Sequence, residues 1–454
     1  MATDSGNSTE EQEIRFGIDD KPSAGEILPL SIQHLLAMVV STVVIPLIIL
    51  NAIGASAEDT TFIIQMALLI AGVATILQTF SIGPVGARLP IVMGTSSIFV
   101  APLIDIGNSF TLAAIFGAVI IASPVEILIG YFIDEVRQLF PPLVTGIVIM
   151  LIGLSVISVA MSNAGGGAGS ETYGNLANLG LAGIVVVLSI LLNSYFDGLL
   201  AASSILIGIV VAYVVALAMG MVDFTPVADA GWVSAPVPLR FGLEFEPSAI
   251  LLVAFAYIIN TIETIGDIEG TTSAIGRDAT NEEMRGGLVA DGVMSAVASV
   301  FGAFPNTSFS QNVGLITFTG VASRIVVATT GVILIVLGFI PKLSAVVTAM
   351  PTPIIGGAVI VLFGMIIAIG VRILSKTELT RRNLTIIGTS IVLGLGVEIS
   401  PEILQQLPSQ LQVLAGSGLI AGGVTAVVLN LILPGDGGEV SRGTVVADAA
   451  VDDD

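Results

Sequence analysis

Long uncharged apolar runs, separated by short segments of glycine, proline and charge, limit this chain's possible folds more than any other feature. They fall near residues 28–50, 61–80, 89–104, 111–130, 142–160, 178–193 and 199–220. The pattern resumes near 248–267, 286–303, 307–320, 324–341, 346–371, 383–398 and 412–433. A helix of about 20 apolar residues crosses a hydrocarbon layer roughly 30 Å thick. Backbone N–H and C=O groups find no water there, so each run must satisfy its own polar groups as a helix. Only 11% of the 454 residues are charged, against about 25% in soluble domains. The chain is a polytopic, all-α membrane protein, with little length left over for a soluble catalytic domain.

Fourteen crossings put both tails on one side of the membrane, and the basic residues support that count. With a cytoplasmic N-terminus, only Arg240 and Lys342 lie outside, so twelve of the fourteen Lys and Arg residues fall inside. Basic loops stay cytoplasmic, and one missed span would scramble the asymmetry. The expected location is therefore the plasma membrane, multi-pass, with both termini cytoplasmic. The first 27 residues are polar and acidic, which is wrong for a cleaved signal peptide. The formal charge of −21 excludes a nucleic-acid surface and suggests adaptation to high salt. Without cysteine and with one histidine, no thiolate nucleophile and no Cys-based or His-cluster metal site can form. No cofactor, metal or catalytic residue is expected.

The sequence also repeats. PPLVTGIVIMLIG at 141–153 aligns with TPIIGGAVIVLFG at 352–364, so that Pro142, Gly146 and Gly153 fall on Pro353, Gly357 and Gly364. The third and tenth runs, LPIVMGTSSIFVAP and FPNTSFSQNVGLITFTG, both open on a proline and are short and rich in Ser, Thr and Gly. A seven-span unit repeated once must reverse its direction in the membrane. Interrupted spans at matching places in inverted halves point to a transporter's midplane site. Spans 3 and 10 are thus predicted to be discontinuous. A short strand from each would pair, with two half-helix N-termini aimed at one pocket, where free N–H groups would meet the acceptors of a planar polar ligand.

The eighth run supplies charge. Glu263 and Asp267 are four residues apart on one helix face, and each acid at depth costs about 2.5–3.5 kcal/mol. Two carboxylates so close in a poor dielectric are costly to ionise together, as coupling of proton to substrate movement requires. Asp291 starts the ninth run and could face the same cavity, whereas Glu126 reads as structural or interfacial. Gln311 and Asn312 place amide donors and acceptors side by side, and Gln suits a bidentate contact with a base edge. His34 follows Gln33 at the start of the first run.

These residues resemble the nucleobase–ascorbate transporter family, also called the uracil/xanthine permeases. Gln311, Asn312, Gly314 and Thr319 match its Q-N-x-G-x(4)-T signature. Glu263 to Asp267 looks like its E-x-x-G-D motif, Ala290–Gly292 like its A-D-G, and Gln33–His34 like its Gln-His pair. The likeness runs in order over 28–433.

The resemblance implies two inverted sets of seven spans. The core domain comprises 28–135 (spans 1–4) and 245–342 (spans 8–11). The gate domain comprises 136–244 (spans 5–7) and 343–435 (spans 12–14), and usually mediates a homodimer. Acidic cytoplasmic tails at 1–27 and 436–454 complete the chain. By motif, Glu263 and Gln311 would bind the base, Ser310 would add backbone N–H, and Asn312 would shape the site. Asp267, Asp291, Thr319, Gly314 and His34 would support coupling or the conformational change. Many relatives carry an aromatic residue after Gly-Thr-Ser in span 3. Here Ser97 stands there, leaving Ser96, Ser97 and Phe99 as that span's candidates. Gln-Asn in the signature resembles carriers of xanthine and urate, whereas Glu-Asn resembles the uracil carriers. The expectation is proton-driven import of a purine nucleobase. The alternatives are a uracil or other nucleobase carrier, coupled to H⁺ or Na⁺, and an anion exchanger or channel on the same inverted-repeat plan.

Overall fold

A computed structural model describes residues 14–132 and 141–434. The C-terminal acidic tail, the first thirteen residues of the N-terminal one, and Arg137 lie outside the described residues. In chain order, α1 (Ala24–Ala52) and α2 (Ala57–Thr79) precede β1 (Met93–Thr95), a 3₁₀ turn (Ser97–Phe99) and α3 (Val100–Ser109). Then come α4 (Leu112–Ala122), α5 (Pro124–Tyr131), α6 (Pro142–Ser155), α7 (Ile157–Ala164), α8 (Leu176–Tyr195), α9 (Leu199–Ala202), α10 (Ser204–Ala218) and α11 (Thr225–Asp229). The second half holds α12 (Pro247–Ser273), α13 (Asn281–Val300), β2 (Asn306–Ser308), α14 (Ser310–Thr319), α15 (Arg324–Gly338) and α16 (Pro341–Thr348). It ends with α17 (Thr352–Leu374), α18 (Arg381–Ile399), α19 (Ser409–Gly416) and α20 (Gly418–Ile432).

Among the described residues, eight helices are long and apolar enough to cross a membrane, counting α4–α5 and α6–α7 as single spans. The α15–α16 pair, bent by 80°, would make a ninth, and α10 and α20 are shorter apolar helices. The segments at 93–109 and 306–319 each divide into a strand and a short helix, so neither meets a length test. The sequence placed the start of one run at 346. The structure moves it to Thr352, because residues 341–348 form α16 and Pro351 caps α17. Likewise the run at 412–433 is two helices, broken at Ser417.

Outward faces are apolar, as on Val392 (68% exposed) and Leu431 (67%), which suits a chain solvated by lipid. Inside, helices approach closely where glycine removes the side chain. A Cβ on Gly72 of α2 would strike Gly331 of α15, and one on Gly146 of α6 would strike Leu374 of α17. Small residues at such crossings let dispersion and backbone contacts hold helices together in lipid, where hydrophobic burial gains nothing. The described part of the N-terminal tail is not free. Phe16 bridges Val321, Ser323 donates to the Asp20 carbonyl, and Arg324 pairs with Asp19.

Candidate functional site

The two interrupted segments meet at the centre. β1 and β2 pair antiparallel, Met93 opposite Ser308, Gly94 opposite Thr307 and Thr95 opposite Asn306. Bonds from Ser96 N to Pro305 O (2.9 Å) and Phe309 N to Val92 O (3.1 Å) extend the ladder at both ends. Both strands are fully buried, which lipid-depth backbone tolerates only inside protein. Gly94 is required there, since a Cβ would collide with the Phe309 ring and Thr42. From this pair the 3₁₀ turn and α3 leave in one half, and α14 in the other. Their first N–H groups lack intrahelical partners and carry the positive end of the helix dipole.

A cavity of about 280 Å³ opens beside them. Its polar lining includes Ser97, Glu263, Ser310 and Gln311, and Phe309 and Phe318 add aromatic walls. Helix α1 contributes Ala37 and Ser41, and α17 contributes Met365 and Ile369. A wider space of about 860 Å³ shares Ser97, Glu263 and Ser310 and runs past Asp267 toward Arg372 and Lys376. Glu263 Oε2 is buried and has no hydrogen-bond partner within the protein. A carboxylate oxygen left so costs several kcal/mol unless something supplies a donor, and the cavity is where a donor can enter.

Asp267, one turn further along α12, has a different task. Its Oδ2 accepts from Ser308 Oγ at 2.6 Å and its Oδ1 from Ser310 Oγ at 2.5 Å. The carboxylate therefore ties the end of β2 to the start of α14, and fixes the angle at which α14 presents its N-terminus. With 4% exposure, it is no interfacial helix-end residue.

The other candidates occupy three settings. Gly314 lines the cavity, and a Cβ there meets nothing within 4 Å. Asn312 is buried and turned away, its Nδ2 donating to His34 Nδ1 (3.0 Å) and to the His34 carbonyl (3.1 Å). Donation to Nδ1 places the neutral ring's proton on Nε2, and the pair pins α14 to α1. Thr319 caps its own helix, bonding Leu315 O at 2.8 Å before Gly320 turns left-handed at φ +66°. Phe99 is fully buried against Tyr257, ring centroids 4.8 Å apart, and does not line the cavity. Ser96 is also buried, donating to Asn260 Oδ1 at 2.8 Å.

Asp291 does not reach the cavity. It is fully buried and accepts from Thr264 Oγ1 (2.6 Å) and Asn260 Nδ2 (3.2 Å). Glu126 belongs to the same cluster, its Oε1 accepting from Asn260 Nδ2 at 3.0 Å. The interfacial reading of Glu126 is thus corrected. Ser123 and Pro124 break that run into α4 and α5, and α5 packs against α12 and α13, placing Glu126 inside at 0% exposure. Sequence reasoning passed over Asn260 as well, although a polar side chain one turn before Thr264 in an apolar helix was a signal. Phe318 was missed as a cavity ring because it sits within the signature's unspecified positions.

Gly314→Leu projects a side chain into the cavity from a position where its Cβ meets nothing within 4 Å. The expected outcome is loss of ligand binding by about tenfold or more with an unchanged melting temperature, as steric exclusion of well over 1.4 kcal/mol implies. Ligand titration beside a thermal melt checks both.

The profile of the Permease family, xanthine and uracil permeases, matches residues 25–403. A putative purine permease of Clostridium perfringens is 41% identical over 423 residues, 93% of this chain and 94% of that protein. The xanthine permease XanP of Escherichia coli K12 is 41% identical over 443 residues, 94% of this chain and 96% of that protein. The uric acid permease PucK of Bacillus subtilis is 37% identical over 413 residues, 90% and 96% respectively. Among solved structures, the transmembrane domain of the cyanobacterial bicarbonate transporter BicA aligns with TM-score 0.55 at 14% identity, over 90% of this chain and 98% of that one. Murine Slc26a9, an anion transporter captured inward-facing, aligns with TM-score 0.60 at 11% identity, over 90% and 69%. At such identities the likeness is one of fold. The chain belongs to the xanthine/uracil permease family of nucleobase transporters: it is a multi-pass membrane transporter, not an enzyme.

Proposed function

We propose that this permease imports a purine base of the xanthine or urate type by proton symport with alternating access. The observation that carries the reading is the convergence of Glu263, Gln311 and the first N–H groups of α14 on one small, largely apolar cavity. The Glu263 carboxylate accepts ring N–H bonds, and the Gln311 amide reads the neighbouring donor–acceptor edge. Free N–H groups at Ser310 take a ring carbonyl or an anionic oxygen. Ser97 and the Phe309 and Phe318 rings bound the ring's faces. Asn312 and His34, Asp267, and Thr319 with Gly320 hold α14 in place rather than touch the base.

On this reading there are fourteen spans in two inverted sets of seven. The core domain (28–135 and 245–342) carries the base past a gate domain (136–244 and 343–435), which also forms a homodimer. Both termini are cytoplasmic, and the space beside Arg372 and Lys376 is the cytoplasmic exit. The sulfate or bicarbonate type of exchanger is the weaker reading, since an anion would meet Glu263 in the pocket without a compensating cation.

Uptake of radiolabelled xanthine into proteoliposomes, competed by a panel of bases and by sulfate under set pH and Na⁺ gradients, tests the proposal. Xanthine accumulation driven by an acid exterior and resistant to sulfate is expected. Sulfate uptake without xanthine uptake overturns it. Gln311→Glu replaces an amide that both donates and accepts with a carboxylate that only accepts. Purine competition should weaken relative to uracil by about tenfold, one mispaired buried polar group at 1–3 kcal/mol. Unchanged selectivity would remove Gln311 from the base edge.

A further inference from the structure

On the flank of α12 away from the cavity lies a polar cluster that base recognition leaves unused. Asn260 Oδ1 accepts from Ser96, so its Nδ2 directs both hydrogens elsewhere, to Glu126 Oε1 at 3.0 Å and Asp291 Oδ2 at 3.2 Å. Thr264 Oγ1 donates to the same Asp291 oxygen at 2.6 Å. Both acids and Asn260 are 0% exposed. One oxygen of each acid remains, Glu126 Oε2 and Asp291 Oδ1, buried and without a partner. Asn260 Nδ2 bonds one oxygen of each acid, so the two carboxyl groups are held side by side. The other titratable groups facing them are Tyr257, Glu263 and Asp267, none of them cationic.

Ionised carboxylates only accept, so two of them cannot bond to one another. A single proton, on either acid, makes one O–H···O⁻ bond and supplies the missing partner to both groups. With no proton, two negative charges would share a dry site, which like-charge repulsion opposes. The hydrogens that Asn260 and Thr264 aim at the pair suit one remaining negative charge and would repel a metal cation.

We propose that Glu126 and Asp291 form a one-proton binding site, clamped by Asn260 and Thr264, and that the proton held there is the one that travels with the base. The second half rests on the symport reading above; the first does not. The site is mechanically joined to the cavity. Asn260 holds Ser96, just after β1, and its Nδ2 lies 3.5 Å from the Asn306 carbonyl in β2. Loss of the proton separates the two acids and releases Asn260 from its place between them. That gives the two protonation states different contacts with the strands that carry the half-helices, which is what coupling requires.

The test counts protons and transport separately. Infrared spectra of the reconstituted protein should contain a protonated-carboxyl band at neutral pH that disappears in Glu126→Gln, in Asp291→Asn and in the double variant, with nothing further lost in the double. Two different bands lost singly and both lost together, or none lost, overturns the shared proton. Both single variants keep the acid's shape, and retained xanthine binding by Glu126→Gln certifies the fold. In transport, one pH unit supports about a tenfold accumulation for one-proton symport. Glu126→Gln should equilibrate xanthine without concentrating it. Wild-type accumulation by that variant overturns the coupling role. A wild type indifferent to pH defeats the symport reading and the coupling role with it, while the band count still decides the shared proton.

Discussion

Glu263→Gln abolishes purine uptake while the protein continues to be made and inserted. Glu263 lines the cavity shared by the two interrupted segments, and its Oε2 has no partner in the protein. No internal bond is therefore lost on substitution, and the stability of the fold should change by no more than about 0.5 kcal/mol. The ligand loses far more. A carboxylate accepting ring N–H groups makes charge-assisted bonds worth about 1.5–3 kcal/mol each. The glutamine's NH₂ also turns a donor toward a donor, which leaves buried groups unpaired. Two such bonds amount to roughly 10²–10⁴ in affinity. Initial-rate uptake of radiolabelled xanthine, beside quantitation of protein in the membrane, measures it, and normal uptake by the variant would remove Glu263 from the site.

Asp267→Ala has a comparable effect by another route. The carboxylate never needs to touch the base, because it holds Ser308 and Ser310 at 2.6 and 2.5 Å. Its removal frees two hydroxyls and leaves the strand-to-helix corner without its tie, at about 1.5–3 kcal/mol for each bond to a charged group. The start of α14, with Ser310 and Gln311, then loses its fixed direction. Both melting temperature and purine affinity should fall, affinity by about a hundredfold for a loss near 3 kcal/mol. Asp267→Glu should not restore either, since a longer side chain overshoots both serines. Binding lost with full thermal stability would mean that Asp267 contacts ligand directly rather than positioning α14.

The apolar runs, the two broken segments and the signature residues were legible because each follows from a local cost. Lipid demands unbroken apolar helices, and Ser-, Thr- and Asn-rich stretches at depth must be interrupted or buried. The same reasoning expects a short strand from each segment; the strand opposite β2 is Met93–Thr95, so that of the Ser/Thr run at 95–97 only Thr95 belongs to it. What could not be read was direction around a helix axis. Glu263 and Asp267 share a face, yet one points into the cavity and the other clamps two serines. Asn312 and Gln311 are neighbours, yet about 100° of helical turn sends one to His34 and leaves the other in the cavity. The interfacial alternative for Glu126 failed for the same reason, because its burial depends on α12 and α13, more than a hundred residues away. Helix breaks such as that at 349–351 were obscured by continuous hydrophobicity, which conceals a turn that proline makes.

The chain contains no cysteine, so one introduced thiol can report on the cavity without background. Ser97→Cys places it in the cavity wall, and Glu171→Cys places a control in an exposed turn. Alkylation by a maleimide should slow at position 97 as xanthine is added, saturably, and stay constant at 171. Equal labelling at 97 with and without saturating xanthine would show that the base does not sit between the two half-helices.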